Sequence, residues 1–227
     1  MSDDTLAENL ARIRAGIERG AAHSERGSGE VTIVAAAKTV PIETIRRAHE
    51  LGVTDFGENY VKELRAKAPK MPGARWHFIG TLQTSSAHHV AEVADVVQTL
   101  ASERATERLA RRAVVAGRSI EALVEVDFTG ERPGASPDRV ATLADRVAAL
   151  EGLRLVGLMT LPPIPARPDD SRHFFVELRE LRDRIKDRHP DVLELSMGMS
   201  LDYEVAVEEG ATMVRIGTAL FGERPPV

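Results

Sequence analysis

The alternation of short apolar segments with longer amphipathic ones most constrains the fold of this chain. Amphipathic spacing predicts helices between the apolar segments, for example over residues 41–51, 102–116, 137–150 and 170–188. A sheet with one solvent-exposed face would show alternating polar and apolar residues. These segments are almost continuously apolar, which indicates a parallel sheet that is buried on both faces. They predict strands over residues 31–37, 53–56, 75–79, 96–100, 120–126, 153–159, 192–195 and 213–216.

Eight strand–helix units in a chain of 227 residues favour a closed (β/α)8 barrel, the TIM barrel. An open doubly wound sheet is the alternative, but the chain lacks the glycine-rich loop typical of nucleotide-binding sheets. An extra N-terminal helix within residues 1–26 is predicted by apolar side chains at helical spacing, namely Leu6, Leu10, Ile13 and Ile17. We expect this helix to pack on the barrel, so that residues 1–227 form a single domain.

Composition narrows the classes of function. The chain has no cysteine, which excludes thiolate metal sites and cysteine nucleophiles. His88 and His89 are adjacent on a predicted helix and are expected to point apart, so we expect no metal site. A formal net charge of -5 gives no reason to expect nucleic acid or an anionic membrane as a partner. Without a signal peptide or an apolar segment of about 20 residues, the sequence indicates a cytoplasmic protein.

Lys38 ends the first apolar segment, and the carboxyl ends of the strands are where barrels of this kind carry their functional residues. Burial of its aliphatic part would lower the pKa of the amine from about 10.4 and so provide free amine at neutral pH. A free amine can form a Schiff base with a carbonyl compound. A lysine that only reaches solvent is the alternative interpretation.

The loops after the last two strands carry a candidate phosphate site formed by Ser200, Gly217 and Thr218. Glycine allows an anion to approach the backbone amides closely, and the two hydroxyl groups can donate hydrogen bonds to it. We expect a helix over residues 201–209, with Ser200 as its N-cap. These loops therefore predict a site for a phosphorylated ligand.

Arg215 lies in the last predicted strand, which neighbours the first strand when a barrel closes. It should therefore lie close to Lys38 and to the candidate phosphate site. A Schiff-base lysine, a phosphate site and an interior arginine together indicate pyridoxal 5′-phosphate (PLP). Arg215 would face the pyridine nitrogen and keep it unprotonated, which limits the carbanion chemistry of the cofactor. A structural ion pair is the alternative role of Arg215.

Six motifs extend from the first strand to the end of the barrel: Ala37-Lys38-Thr39, Phe56-Gly57-Glu58-Asn59-Tyr60, Trp76-His77-Phe78-Ile79-Gly80 with Leu82-Gln83, Gly157-Leu158-Met159, Ser196-Met197-Gly198-Met199-Ser200, and Met213-Val214-Arg215-Ile216-Gly217-Thr218 with Phe221-Gly222. In composition and order they resemble the pyridoxal phosphate homeostasis proteins. That family consists of PLP-binding barrels related to the N-terminal domain of alanine racemase. The set of motifs is specific, although each one alone is a common sequence.

The resemblance implies a PLP-binding protein that acts in vitamin B6 and amino-acid homeostasis and has no established catalytic activity. It implies that Lys38 holds the cofactor as a Schiff base, that Asn59 lies beside it and that Arg215 faces its ring nitrogen. The phosphate would be held by Ser200, Gly217, Thr218 and the amide of Met199. The expected partners are PLP and apo forms of PLP-dependent enzymes, and we expect a monomer.

The chain departs from the family pattern in two places. Residues 84–86 read Thr-Ser-Ser where the family has a basic residue, so the role of that residue is not carried over. The stretch after the fifth strand, residues 129–134, is shorter, and Arg132 stands where the family has a lysine.

An enzyme is the alternative function, either a PLP-dependent amino-acid racemase or a Schiff-base aldolase of low activity. Because the sequence ends soon after its last predicted strand, we expect no counterpart of the β domain of related racemases. Lys38 supplies only one of the two bases that racemisation needs, and Tyr203 stays open as the second. We expect Tyr60 to be a packing residue. Glu58 and Asp127 are candidate proton relays for an aldolase. His77 is expected to make a core hydrogen bond. Glu58 and His77 are also candidates for a second layer of residues around the cofactor-binding ones.

Overall fold

Parallel strands close into an eight-stranded barrel in the computed structural model, which describes residues 3–23, 27 and 31–223. Each strand pairs with the next along the chain, and the last strand pairs with the first. The strands are β1 (Thr32–Ala36), β2 (Asp55–Glu58), β3 (Arg75–Phe78), β4 (Val96–Leu100), β5 (Ile120–Val126), β6 (Leu153–Thr160), β7 (Glu194–Ser196) and β8 (Met213–Ile216).

Helices surround the barrel, as the amphipathic spacing predicts. They are α1 (Asp3–His23), α2 (Ile42–Glu50), α3 (Val61–Lys67), α4 (Ala87–Val93), α5 (Glu103–Val115), α6 (Pro137–Ala148), α7 (Arg172–Lys186), α8 (Tyr203–Glu208) and α9 (Thr218–Phe221). Short 3-10 turns, Ala68–Lys70 and Pro168–Ser171, follow α3 and precede α7. No described helix combines the length and the apolar character that crossing a membrane requires.

Closure of the barrel depends on the pairing of β1 with both β2 and β8. Val34 is in register with Asp55 on one side and with Arg215 on the other. An open doubly wound sheet would leave β1 and β8 apart, so the prediction of a (β/α)8 barrel with an additional N-terminal helix is confirmed. Main-chain and side-chain groups at the ends of β1, β2, β7 and β8 are therefore brought to one region of the barrel mouth.

Two strands are displaced from their predicted positions because polar residues belong to them. β2 was predicted over residues 53–56 but runs from Asp55 to Glu58, and Val53 instead bonds the carbonyl of Ala48 at the end of α2. β7 was predicted over residues 192–195 but runs from Glu194 to Ser196. In both cases the interior of the barrel accepts polar side chains that apolar periodicity cannot indicate.

The N-terminal helix α1 packs against α8 and α9. Gly16 and Gly20 face α8 so closely that an added Cβ would lie 2.2 Å from the Tyr203 hydroxyl and 2.7 Å from the Glu204 carbonyl oxygen, respectively. Asn9 donates a side-chain hydrogen bond of 3.0 Å to the carbonyl of Leu220 in α9. The helix thus supports the two short helices that follow β7 and β8.

Candidate functional site

A cavity of about 580 Å³ opens at the carboxyl ends of the strands. One wall is apolar and comes from the loop after β6 and from the loop after β7, with Leu161, Ile164, Pro165 and Leu201. The remaining lining includes most of the residues predicted for the site, namely Asn59, Met199, Ser200, Arg215, Gly217 and Thr218, together with Ala36 and Ile79. The fold therefore brings together, around one cavity, residues from Ala36 to Ala219, which are 183 positions apart in the sequence.

Lys38 is not among the residues that line this cavity; it lies in the turn that follows β1, two residues after the lining residue Ala36. Its side chain is partly buried, and its Nζ lies 5.5 Å from the centroid of the Tyr60 ring. Tyr60 is 52% exposed, so the prediction that it is a packing residue was wrong. A cation above an aromatic face is weakly attracted to it, which gives the Lys38 amine a defined resting position beside the cavity.

Two side chains of α3 bind the backbone of the turn that carries Lys38. Glu63 accepts a hydrogen bond of 2.8 Å from the backbone N–H of Thr39. The ammonium group of Lys67 donates to the carbonyl of Ala37 at 2.8 Å and to Glu63 at 2.7 Å. Lys67 also donates to Glu58 at 2.6 Å. Burial would raise the pKa of Glu63, but the bonds from Lys67 and Thr39 hold it below its ordinary value.

Glu58 is therefore a member of the Lys67 cluster beneath the Lys38 turn, and it does not line the cavity. Sequence reasoning identified Glu58 as a possible neighbour of the site but missed Lys67 and Glu63. Their spacing of four residues on a helix is the signal that indicates an ion pair between them. Nothing in that spacing shows that the pair also binds the end of β1.

The loops of the candidate phosphate site are connected by a side-chain bond. The Ser200 hydroxyl oxygen accepts a hydrogen bond of 3.1 Å from the backbone N–H of Ala219. Asp202, not Ser200, is the N-cap of α8, so that prediction was wrong. The buried Asp202 carboxylate accepts from the Met199 amide at 2.7 Å and from the Ser171 hydroxyl at 2.7 Å, and these bonds orient the loop.

Arg215 is the buried cation of the cavity, with 4% of its surface exposed. Its guanidinium donates to the Ser196 hydroxyl at 2.6 Å and to the carbonyl of Thr160 at 2.8 Å. Burial lowers the pKa of Arg215 to about 10, and the charges of Glu125 and Asp202 oppose that shift. Since both acceptors are neutral, these contacts differ from the structural ion pair considered as the alternative.

His77 is fully buried inside the barrel, and both of its ring nitrogens are hydrogen-bonded. Nε2 is 2.8 Å from the Asp55 carboxylate, and Nδ1 is 2.8 Å from the side-chain amide of Gln98. The prediction of a core hydrogen bond for His77 is confirmed by these contacts. Sequence reasoning missed Asp55 and Gln98, because each is a single polar residue in or beside an apolar run.

The end of β5 carries the carboxylates considered as proton relays. Asp127 accepts hydrogen bonds from the backbone N–H groups of Thr129 and Arg132, which stabilise the loop after β5. This loop lines a second cavity of about 480 Å³. Glu125 is buried, and that burial raises its pKa. Arg132, predicted to stand in place of the family's lysine, lines the second cavity and not the first.

Three further side chains lie outside the lining of the cavity, namely Tyr203, His88 and His89. The Tyr203 hydroxyl faces α1 and donates to Glu204 at 3.3 Å, and burial raises its pKa to about 12. Tyr203 therefore lies outside the cavity and is not placed to act as a second base. The rings of His88 and His89 lie 3.8 Å apart, so the expectation that they point apart was wrong. Among the described residues, no group of three potential ligands is arranged to hold a metal ion.

Comparison with known proteins places the chain in a family. Residues 5–225 match the model of the alanine racemase N-terminal domain, and the chain belongs to this family of barrels. Within it, the chain belongs with the pyridoxal phosphate homeostasis proteins. It is 38% identical over 222 residues to the member from Aquifex aeolicus, an alignment that covers 96% of this chain and 97% of the relative. The family resemblance predicted from the motifs is thus confirmed.

Solved structures lead to the same family. PipY of Synechococcus elongatus, described with PLP bound, is 32% identical and superposes with a TM-score of 0.84 over 96% of this chain and 100% of its own. A protein of unknown function from Bifidobacterium adolescentis is 31% identical and superposes with a TM-score of 0.90, covering 96% of this chain and 95% of its own.

Proposed function

We propose that this chain binds PLP in the cavity at the carboxyl ends of its strands and acts in vitamin B6 and amino-acid homeostasis without turning over an amino acid. The observation that carries the proposal is the convergence of Asn59, Ser200, Arg215 and Thr218 on one cavity, whose lining also includes Ala36, two residues before Lys38 in the sequence. The relatives named pyridoxal phosphate homeostasis protein and the PLP-bound PipY structure support it.

The residues present fit PLP group by group. The hydroxyls of Ser200 and Thr218, with the amide of Gly217, suit a phosphate, whereas the predicted donor Met199 has its amide bound to the Asp202 carboxylate. The cation of Arg215 suits an unprotonated pyridine nitrogen. The amine of Lys38 suits the aldehyde, with which it condenses with loss of water. Asn59 lines the remaining side of the cavity. Bound PLP supplies an electron sink for carbanions, which an unprotonated ring weakens.

A non-catalytic role is favoured by the distribution of acid–base groups. Racemisation needs a proton donor and an acceptor on opposite faces of the cofactor. Lys38 is one such group, whereas Tyr203 faces α1. The chain therefore has the groups that retain PLP, and in our proposal it stores or delivers the cofactor.

Delivery would require apo PLP-dependent enzymes to approach the mouth of the cavity. Ile164 and Leu201 in the apolar wall are 79% and 61% exposed, which provides contact surface beside the bound cofactor. We propose that residues 1–227 act as one domain, as a monomer in the cytoplasm. Sedimentation of the protein alone and with a recipient apoenzyme tests both the monomer and the encounter.

Borohydride reduction tests cofactor binding at Lys38. Wild type incubated with PLP is expected to show a visible absorption band and, after reduction, a pyridoxyl group on the peptide that contains Lys38. Lys38→Ala should lose both signals, whereas Lys70→Ala, which removes an exposed lysine elsewhere, should retain them. A colourless wild-type protein, or a label on another lysine, would contradict the proposal. Lys38-dependent racemisation of an amino acid would favour the enzyme instead.

A further inference from the structure

A continuous series of side-chain hydrogen bonds crosses the interior of the barrel from Arg215 to Asp55. Arg215 Nη1 lies 2.6 Å from the Ser196 hydroxyl, which lies 2.7 Å from Gln98 Oε1. Gln98 Nε2 lies 2.8 Å from His77 Nδ1, and His77 Nε2 lies 2.8 Å from Asp55 Oδ1. We call these five residues the interior relay. It begins at the proposed PLP cavity, which Arg215 lines, and ends at a third cavity of about 380 Å³, which Asp55 lines.

With a neutral His77 ring, the interior relay has one possible direction of donation. Arginine can only donate, so the Ser196 oxygen accepts from Arg215 and its single proton goes to Gln98 Oε1. The amide nitrogen of Gln98 then faces His77 and donates to Nδ1. His77 must carry its proton on Nε2, from which it donates to the Asp55 carboxylate. A permanent cation at one end and a carboxylate at the other therefore determine the orientation of every group between them.

Burial makes this order costly to disturb. Gln98, His77 and Ser196 have no exposed surface, and Asp55 and Arg215 have 5% and 4%. Reversal of one member would place two donors or two acceptors face to face, and a buried polar group without a partner is strongly destabilising. Hydrogen bonds from His77 and Thr54 hold the pKa of Asp55 below its ordinary value although burial acts to raise it. Burial lowers the pKa of His77, which agrees with a neutral ring.

We propose that Gln98, His77 and Asp55 are positioning residues that act through Ser196 to hold the Arg215 guanidinium in the orientation that faces the PLP ring nitrogen. Without Gln98, the Ser196 hydroxyl is free to rotate and to turn its proton toward Arg215. The guanidinium then keeps only its bond to the carbonyl of Thr160 and gains rotational freedom. This inference rests on the proposed function for its ligand, but the geometry of Arg215 exists without the ligand.

The first test therefore uses protein without PLP. In wild type labelled with 15N at histidine and arginine, NMR is expected to show His77 as the Nε2–H tautomer and slow rotation of the Arg215 guanidinium. Gln98→Leu should accelerate that rotation at least tenfold, and so should Ser196→Ala, which removes only one hydroxyl and leaves the packing of β4 intact. Thr99→Val is the matched control, because Thr99 is the next residue of β4 and loses a buried bond to the carbonyl of Gly80 instead. Unchanged rotation in both relay variants, or the Nδ1–H tautomer in wild type, would overturn the inference.

The second test adds PLP to the same proteins. Both relay variants are expected to bind PLP about tenfold more weakly, a difference of about 1.4 kcal/mol, and to shift the visible absorption band, while Thr99→Val behaves as wild type. Relay variants with wild-type affinity and an unchanged absorption band would refute a role toward the cofactor. If wild type itself binds no PLP, the proposed function fails, and the NMR test still decides whether the interior relay orients Arg215.

Discussion

Thr39, the residue after Lys38, has an unusual backbone conformation. Its φ of 63° lies in the left-handed region, which is costly for a β-branched side chain and persists only where surrounding contacts enforce it. The contacts here are the hydrogen bond from its N–H to Glu63 and the bond from Lys67 to the carbonyl of Ala37. The direction in which Lys38 leaves the strand is therefore set by residues of α3 and not by β1 itself.

Lys67→Met tests this support at the scale of one residue. The substitution removes the ammonium between Glu58 and Glu63, whose carboxylates then repel each other in a largely buried location. We expect the free energy of unfolding to fall by about 3 kcal/mol, the usual effect of removing one partner of a buried ion pair. Urea denaturation measures this loss, and the rate of covalent PLP attachment should fall with it.

Arg139→Ala provides the comparison for that experiment. Arg139 pairs with Glu103 on the surface, and its side chain is 70% exposed. Its removal should change the free energy of unfolding by less than about 0.5 kcal/mol, since exposed pairs contribute little. Equal effects of the two substitutions would mean that the Lys67 cluster is not a buried support of the Lys38 turn.

At the scale of the element, the contact between α1 and α8 connects the N-terminal helix to the candidate phosphate site. α8 follows directly on the loop of Ser200, and its capping residue Asp202 binds the Met199 amide. Glycines of α1 allow the two helix backbones to approach closely, as an added Cβ at Gly20 would lie 2.7 Å from a carbonyl oxygen of α8. Displacement of α1 would thus be transmitted to the loop that we propose to bind phosphate.

Gly20→Ala separates this packing from helix propensity. Alanine favours an isolated helix by about 1 kcal/mol relative to glycine, so propensity alone predicts stabilisation. The close approach to α8 predicts instead a net loss of about 2 kcal/mol through overpacking. Thermal or urea unfolding decides the sign, with Glu18→Ala, an exposed position on the same helix, expected to stay within about 0.5 kcal/mol of wild type. A more stable Gly20→Ala protein would show that the contact between α1 and α8 accommodates the added methyl group.

At the scale of the whole molecule, the polar interior of the barrel links stability to pH. Burial lowers the pKa of His77 below its ordinary value of 6.5. The unfolded chain therefore binds the proton first as pH falls, and the folded state loses stability from about pH 6.5 down to the folded pKa. Asp55 affects stability at lower pH. Because its pKa in the folded protein lies below the ordinary value of 3.8, its ionised carboxylate stabilises the fold above pH 3.8, and this stabilisation is lost as the pH falls toward the folded pKa.

His77→Gln tests this dependence. Glutamine can donate to Asp55 and accept from Gln98 but does not titrate. Below pH 6.5, the unfolding free energy of both proteins should fall as the pH falls. We expect the slope of wild type to be steeper than that of the variant by as much as about 1.4 kcal/mol per pH unit. Urea denaturation at several pH values between 7.5 and 5 measures both slopes. Parallel slopes would show that His77 is not the titrating group.

Much of the fold and the site could be predicted from the sequence. β4, β5 and β8 have the predicted bounds, because each begins and ends with an apolar residue and its polar residues lie between them. Chemistry-bearing residues could be selected by their position after a strand, and Asn59, Ser200, Arg215 and Thr218 do line one cavity. The start of α8 was misplaced because Ser200 and Asp202 both belong to the residue types that precede helices. The Ser200 hydroxyl is instead bound to Ala219 in the neighbouring loop, and α8 begins after Asp202.

The sequence by itself determined the closed barrel and the set of residues at its mouth, because periodicity and strand ends are local properties of the chain. The tertiary structure alone decided where those side chains point. It placed Lys38 against Tyr60, directed Glu58 toward Lys67 and turned Tyr203 toward α1. It also joined Asp55 to Arg215 through the interior of the barrel. Such contacts depend on burial and on partners far away in the sequence, for which a pattern of neighbouring residues carries no signal.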